Sequence, residues 1–314
     1  MPAIVTVTFH PCIDVNIEVP ALLPDVKMLC SSVLRQPGGG GINVARAIHE
    51  LGGKATAVYP AGGCTGTELS KLLAAEGVST VILKIPGETR ENIIVRDTAT
   101  GLQYRCNLPG PSVPELVLSE LLELLGKWEA VKYLVVSGSL PPGMDAGVFQ
   151  ILADLARRKG IRLIVDTSGE PLKAAIAAGA YLVKPSLHEL LSLTTGRPDG
   201  SDVESRIDSL LSGGRTKAAV VSLGPKGALL ATGNCRQRFP APKVTPVSTI
   251  GAGDSLVAGI VLALHRGMSL EQAVAYGCLC GSAATLHAGT GLCRLEDVNR
   301  LKKTTERHEK DPVD

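Results

Sequence analysis

An α/β fold, with a mostly parallel sheet covered on both faces and a small separate sheet beside it as a lid, is the architecture this sequence predicts. Three observations predict it. Short β-branched apolar runs recur along the chain, helical periods fill most of the intervals between them, and two stretches break that rhythm with apolar–polar alternation. Runs that are apolar at every position suit strands buried on both faces, whereas alternation marks strands with one wet face.

In chain order, the first such run covers residues 3–9, and similar runs follow at 133–136, 162–165, 181–183 and 218–222. Between two of them, residues 145–159 carry a helical pattern. Asp145 can cap it, Val148, Leu152 and Leu155 share one face, and Gly160 ends it. Strands alternating with helices imply a parallel sheet with helices on both sides. Residues 11–36 and 88–108 are different. Asp14-Val-Asn-Ile-Glu-Val, Asn92-Ile-Ile-Val-Arg and Gln103-Tyr-Arg-Cys alternate without helical period, so they are placed in an antiparallel lid. A lid sheet with one apolar face must cover it, and pairing with the lid of a second copy is one solution. A homodimer through the lid is therefore expected. Residues 1–303 are expected to form one domain, and the charged segment 304–314 a frayed tail.

A formal net charge of +2 gives no electrostatic case for nucleic acid or an anionic membrane. Aromatics are 3% of the chain, too few for base-stacking platforms. The N-terminus shows no basic-then-apolar signal pattern, and no 18-residue apolar run is present. The eight cysteines are dispersed, with no C-x-x-C pair, so reduced thiols and a cytoplasmic location are expected.

Two glycine-rich segments carry most of the chemistry. In the first, Pro37 and four glycines (Gly38 to Gly41) precede a helix whose Ile42, Ala45 and Ile48 face inward. Glycine permits close backbone approach to a ligand, and the helix start offers free N–H groups. Asn43 projects from the first turn, where its amide can bind a hydroxyl. A plain helix-start loop is the simpler account, but four successive glycines exceed what such a loop needs. In the second, Gly251-Ala-Gly-Asp254 opens a helix with Leu256, Ile260 and Leu264 on one stripe. Its amides can form an anion hole for phosphate oxygens, and the helix dipole favours the Asp254 carboxylate. Taken alone, Asp254 could be an ordinary first-turn charge.

No Walker A loop, no protein-kinase catalytic loop and no dinucleotide fingerprint accompany these segments. Instead, residues 37–53 and 249–259 resemble the two signature regions of the ribokinase-like carbohydrate kinases, the phosphofructokinase B-type family. Further matching stretches are Pro60-Ala-Gly-Gly, Ser137-Gly-Ser-Leu-Pro-Pro-Gly, Val183-Lys-Pro, Val221-Ser-Leu-Gly-Pro-Lys-Gly-Ala-Leu and Gly281-Ser-Ala-Ala-Thr. The resemblance spans residues 3 to about 300 and is greatest to the branch that acts on hexose phosphates.

The resemblance implies a three-layer α/β/α core with a β-sheet lid. It implies transfer of the ATP γ-phosphate to a sugar phosphate, fructose 6-phosphate first, with fructose 1-phosphate or tagatose 6-phosphate as alternatives. Asp254 would be the base, with Gly251, Ala252 and Gly253 as the anion hole. Asp14, Gly39, Asn43 and Ser139 would contact the sugar, and Arg90 and Arg105 its phosphate. Lys184, Ser222, Gly224 and Gly227 would line the ATP site. A K⁺ site is implied at the carbonyls of Ser248, Ile250, Ala284 and Gly289. For Mg²⁺ the chain departs from the family pattern, with Ser186-Leu-His-Glu189 where Asn-x-x-Glu is usual. Glu189 could hold a metal-bound water, or Ser186 and Glu189 could simply form a capping box. A non-catalytic sugar-phosphate sensor on the same fold is the remaining alternative, supported only by Ser186.

The implied chemistry suits the residues. Phosphoryl transfer asks for positioning and charge stabilisation. A carboxylate can take the attacking hydroxyl's proton, preorganised amides can hold the equatorial oxygens, and guanidinium forks match a second phosphate. A nucleoside acceptor would leave both lid arginines without a task.

Overall fold

The computed structural model describes residues 1–193, 203–213, 215–233 and 235–310. The chain runs β1 (Ile4–Val7), β2 (Cys12–Val19), β3 (Ser32–Gly38), α1 (Gly40–Glu50), β4 (Thr56–Ala61), α2 (Gly63–Ala75), β5 (Ser79–Lys84), β6 (Arg90–Asp97), β7 (Gln103–Asn107), α3 (Glu115–Lys127) and β8 (Tyr133–Ser137). It continues through α4 (Val148–Lys159), β9 (Arg162–Asp166), α5 (Gly169–Ala178), β10 (Leu182–Val183), α6 (Leu187–Leu193), α7 (Val203–Leu211), β11 (Ala218–Ser222), β12 (Ala228–Thr232), β13 (Arg236–Phe239), α8 (Ala252–His265), α9 (Leu270–Ala284) and α10 (Leu295–Lys310).

Nine strands form the main sheet in the order β13-β12-β11-β10-β9-β8-β1-β4-β5. Seven are mutually parallel, and β12 and β13 add an antiparallel edge. Residues alternate between the two faces: Ile4, Tyr133, Val135 and Ile164 join α1, α2, α8, α9 and α10 in one core. Val5, Val7, Leu134, Val136 and Val165 join α3 to α7 in the other. Burial of each such side chain contributes about 1.5–3 kcal/mol, which is why the apolar runs specify this sheet. The result is the three-layer core the resemblance implied. From β1 the chain moves outward to β4 and β5, then returns to place β8 on the opposite side of β1. Ligands bind at such a switch point, outside the carboxyl ends of the strands.

The second sheet has the order β3-β2-β6-β7 and comes from the two stretches that alternate. It is not wholly antiparallel, because β2 and β6 run parallel from Cys12 opposite Arg90 to Val19 opposite Asp97. Register puts Asp14, Asn16, Gln36, Asn92 and Arg105 on one face. Val15, Ile17, Val33, Ile93, Val95 and Tyr104 lie on the other, where Val33 is 63% and Tyr104 41% exposed.

Two sequence expectations differ from the structure at helix ends. Asp145 accepts from the Gly147 N–H at 2.7 Å, one turn ahead of α4, so it shapes the turn that leads into the helix. Residues 304–310, expected in the charged tail, continue helix α10, whose Val298 and Leu301 lie in the core, and 311–314 lie outside the described residues. Its charged residues are good helix formers once one face is docked. Among the described residues no helix is long and apolar enough to cross a membrane, and all eight cysteines are free thiols.

Candidate active site

The glycine run places α1 where β1 and β8 end. A methyl on Gly40 would come within 2.2 Å of Ser137 Oγ, and one on Gly41 within 2.4 Å of the Val7 carbonyl oxygen. Only backbone fits there, so the first turn of α1 sits directly on the switch point. Gly39, with φ of 112°, turns the chain into the helix. Asn43 is buried in that first turn.

Helix α8 arrives from the same side. Gly251, with φ of 77°, precedes it, and Ser255 N bonds back to the Gly251 carbonyl at 2.8 Å. The amides of Ala252, Gly253 and Asp254 therefore have no helical carbonyl to reach, and no side chain caps them. Close packing on α9 holds α8 in place, since a methyl on Gly259 would come within 2.7 Å of Cys280 Sγ. Asn43 Nδ2 donates to Asp254 Oδ2 at 3.0 Å, joining the two glycine segments across 211 residues of sequence.

Charge around Asp254 is concentrated. Burial pushes its carboxyl up to about 7, the negative charge of Asp166 adds to the rise, and Asn43 and Lys184 oppose it. Lys184 Nζ lies 3.1 Å from Asp166 Oδ1, both side chains nearly enclosed. Burial alone would lower the lysine, but the carboxylates of Asp166 and Glu189 outweigh it and keep it charged. Burial raises Asp166 despite that partner. A methyl on Gly253 would sit 3.6 Å from Lys184 Nζ, so this ammonium stands beside the open amides of α8. Such an arrangement can accept a proton at Asp254 and hold anionic oxygens at the helix mouth.

From the lid, Asp14 is buried and accepts from Asn92 Nδ2 at 3.0 Å; its charge is felt at Asp254. Arg90 donates to the His10 carbonyl at 3.2 Å and to Asn92 Oδ1 at 3.2 Å, while its Nε is buried without a partner. Arg105 is exposed on edge strand β7, opposite Ile94. Ser139 lies past the end of β8 with its Oγ 3.2 Å from His10 Nδ1. Gln36 ties the lid to the loop after α9 by accepting from Thr290 Oγ1 at 2.8 Å.

The expected nucleotide-side positions lie at and after the ends of β10 and β11. Ser222 ends β11 and bridges to Ser186, and the turn Gly224 to Lys226 follows it. Gly227, with φ of 92°, has no room for a side chain beside the Phe239 carbonyl. Ser186 and Glu189 do form a capping box: Glu189 Oε2 accepts from Ser186 N at 2.7 Å, and Ser186 Oγ from Glu189 N at 3.2 Å. Ser248 Oγ donates to the Gly289 carbonyl at 3.1 Å and accepts from Ile250 N at 3.2 Å, and the Ala284 carbonyl accepts from His287 N at 3.3 Å. Ser248, Ile250 and Gly289 are thus joined ahead of α8, and Ser248 N reaches the carbonyl of Thr285, next to Ala284 at the end of α9, at 3.3 Å. Among the described residues no three His, Cys, Asp or Glu side chains group closely enough to hold a metal ion.

Three residues escaped the sequence reading. Asp166 ends β9, and a carboxylate closing a buried parallel strand is a signal that could have found it. Arg46 reads as a surface helix charge but is buried and bonded to Asn43. For His10, burial and the neighbouring Arg90 bring the imidazole down to about 4, so it is neutral beside Ser139.

The chain is similar to known proteins over nearly its whole length. Residues 5–297 match the model of the pfkB family of carbohydrate kinases. The chain is 44% identical over 306 residues to ATP-dependent 6-phosphofructokinase isozyme 2 of Escherichia coli (strain K12), covering 96% of this chain and 98% of that one. It is 31% identical to a 1-phosphofructokinase of Borreliella burgdorferi, over 95% of this chain and 96% of that one. Crystal structures of phosphofructokinase-2 from E. coli, one in complex with potassium and one with fructose-6-phosphate, match with a TM-score of 0.89 at 41% identity, over 98% of this chain and 100% of theirs. Another, described as the tetrameric inhibited form, matches with a TM-score of 0.88. A family match over nearly the whole length, on a fold that brings both signature segments to one sheet edge, establishes that the chain belongs to the pfkB family of carbohydrate kinases.

Proposed function

We propose that this kinase, with residues 1–303 as one domain, transfers the γ-phosphate of ATP to fructose 6-phosphate, giving fructose 1,6-bisphosphate. The observation that carries the mechanism is the Asp254 carboxyl at the open mouth of α8, bonded to Asn43 and flanked by Lys184 and Asp166. The substrate choice rests on the 44% identity to a 6-phosphofructokinase, against 31% to a 1-phosphofructokinase.

In this reading Asp254 takes the proton of the acceptor hydroxyl. A base poised near 7 is ionised for much of the time at neutral pH and is still strong enough to accept the proton. The amides of Gly251, Ala252 and Gly253 hold the transferring phosphoryl oxygens. Lys184 stays charged beside them and offsets negative charge as it develops. Asp14, Gly39, Asn43 and Ser139 orient the sugar, and Arg90 and Arg105 clamp its phosphate. Arg90 already has an unpartnered Nε, whereas exposed Arg105 must swing inward with the lid. Ser222, Gly224 and Gly227 line the nucleotide side.

Mg²⁺ would be held mainly by nucleotide phosphates and water. Glu189 keeps one oxygen outside its capping bond and would hold a metal-bound water. K⁺ would sit at the carbonyls of Ser248, Ile250, Ala284 and Gly289. The outer lid face, with Val33 and Tyr104 exposed, would be covered by the lid of a second copy.

ADP release measured against fructose 6-phosphate, fructose 1-phosphate and tagatose 6-phosphate tests the substrate. The highest kcat/KM is expected for fructose 6-phosphate, and a preference for either rival overturns the assignment.

A further inference from the structure

We propose that Arg46 is a positioning residue, fixing which end of the Asn43 side-chain amide faces Asp254. The inference rests on the reading of Asp254 as the base. Arg46 lies one helical turn after Asn43 on α1, with a side chain only 7% exposed. Its Nε and Nη2 form a fork onto Glu76, at 2.5 and 2.7 Å. Its Nη1 then points back to the Pro37 carbonyl at 3.0 Å and to Asn43 Oδ1 at 3.2 Å. The other end of that amide, Nδ2, donates to Asp254 Oδ2 at 3.0 Å.

An asparagine amide can be turned over with little change of shape, which exchanges its donor and acceptor ends. Here only one orientation works. Reversal would set the NH₂ against the guanidinium, donor to donor. It would also set the carbonyl against the carboxylate, acceptor to acceptor. Arg46 is locked by Glu76 and by the carbonyl of the glycine segment, so it decides the orientation before any substrate arrives. The acceptor-only carboxylate of Asp254 cannot by itself exclude the reversed amide, because its protonated form could donate to Oδ1. An arginine has no acceptor in any state. The fixed donor therefore favours the ionised form of the base.

The other charged groups facing Asp254 are Asp166 from the end of β9, Lys184 after β10 and Asp14 from β2. Glu76, at the end of α2, faces Arg46 from the far side. None of these touches the Asn43 amide in place of Arg46.

The test is a ¹³C NMR titration of the Asp254 carboxyl carbon, assigned by its loss in Asp254→Asn. It compares the unaltered enzyme, Arg46→Lys, Asn43→Ala and the double variant. Lysine keeps the positive charge and the partner Glu76, but its single head cannot also reach Asn43 Oδ1. Arg46→Lys should strengthen proton binding at Asp254 about three- to tenfold, moving its midpoint up by about half to one pH unit. The acid limb of kcat/KM should move with it. In the Asn43→Ala background, Arg46→Lys should add nothing. A folded Arg46→Lys with an unmoved midpoint overturns the proposal, and so does an equal shift in the Asn43→Ala background. Should Arg46→Lys fail to fold, the Asn43 NH₂ resonances of the unaltered enzyme decide. They must titrate with the Asp254 midpoint, and resonances blind to it overturn the proposal. Turnover surviving in Asp254→Asn would instead remove the base assignment, leaving the NMR comparison intact.

Discussion

Replacing Asp254 by Asn should make the protein inactive and more stable at once. Its carboxyl ordinarily titrates near 3.8 and is pushed up to about 7 here, chiefly by burial. Three units at about 1.36 kcal/mol each put the cost of holding the ionised form at about 4 kcal/mol. The residue keeps some contact with solvent, so about 2–4 kcal/mol is the expected gain above pH 7. The sign follows from the direction of the shift. A carboxyl raised on folding binds its proton more tightly in the folded state, so stability falls as pH rises from 3.8 to 7 and is level beyond. Asn carries no proton to lose and keeps an acceptor for Asn43 Nδ2. For a chain of this length the unfolding entropy near 60 °C is about 0.66 kcal/mol per degree, so the variant should melt about 3–6 °C higher at pH 8. Paired melting curves from pH 4 to 8 should show that advantage growing up to about pH 7 and then constant. In the unaltered enzyme kcat/KM should fall tenfold per pH unit on the acid side of about 7. A variant melting no higher than the parent at pH 8, or an advantage independent of pH, refutes the reasoning.

Three further outcomes are expected. Arg105→Ala should raise KM for the sugar phosphate about tenfold or more while KM for ATP stays within twofold, because a lost charge-assisted bond costs about 1.5–3 kcal/mol; equal effects on both remove Arg105 from the clamp. Lys184→Met leaves the buried Asp166 unpaired and should cost about 3–5 kcal/mol of stability at pH 8. Protonation of Asp166 relieves that strain, so the deficit should shrink as pH falls, and a deficit that ignores pH argues against the pair. If the lids pair as proposed, Val33→Asp on the outer lid face should dissociate the lid-paired dimer in sedimentation while changing the stability of the single chain by less than about 1 kcal/mol; an unchanged sedimentation coefficient argues against pairing through the lid.

How much could be read in advance depended on how local the information was. Strands β1, β8, β9, β10 and β11 were legible because both faces are covered and every position must be apolar. The hairpin of β12 and β13 was not, because Ala228–Thr232 is alanine-rich and Arg236–Phe239 is an edge strand with polar exposed residues. The lid strands were legible from their alternation, but not the parallel pairing of β2 with β6, since register between distant strands leaves no local pattern. Glycines at 39, 40 and 251 announced a close approach of backbone. Asp166, the last residue of β9, carried only the weak signal of a carboxylate closing an apolar run, and Arg46 carried none, because an Arg on a helix is commonplace.

Taken by itself, the order of residues determined the layered sheet, the two glycine-marked helix mouths and the carboxylate at the second of them. Those follow from periodicity and from backbone freedom, which act within a few residues. Tertiary structure alone decided that Asn43 meets Asp254, that Lys184 pairs with Asp166 and that Arg46 is enclosed with Glu76. Each joins groups far apart in the chain, and their ionisation depends on burial and on neighbours that only the folded chain supplies.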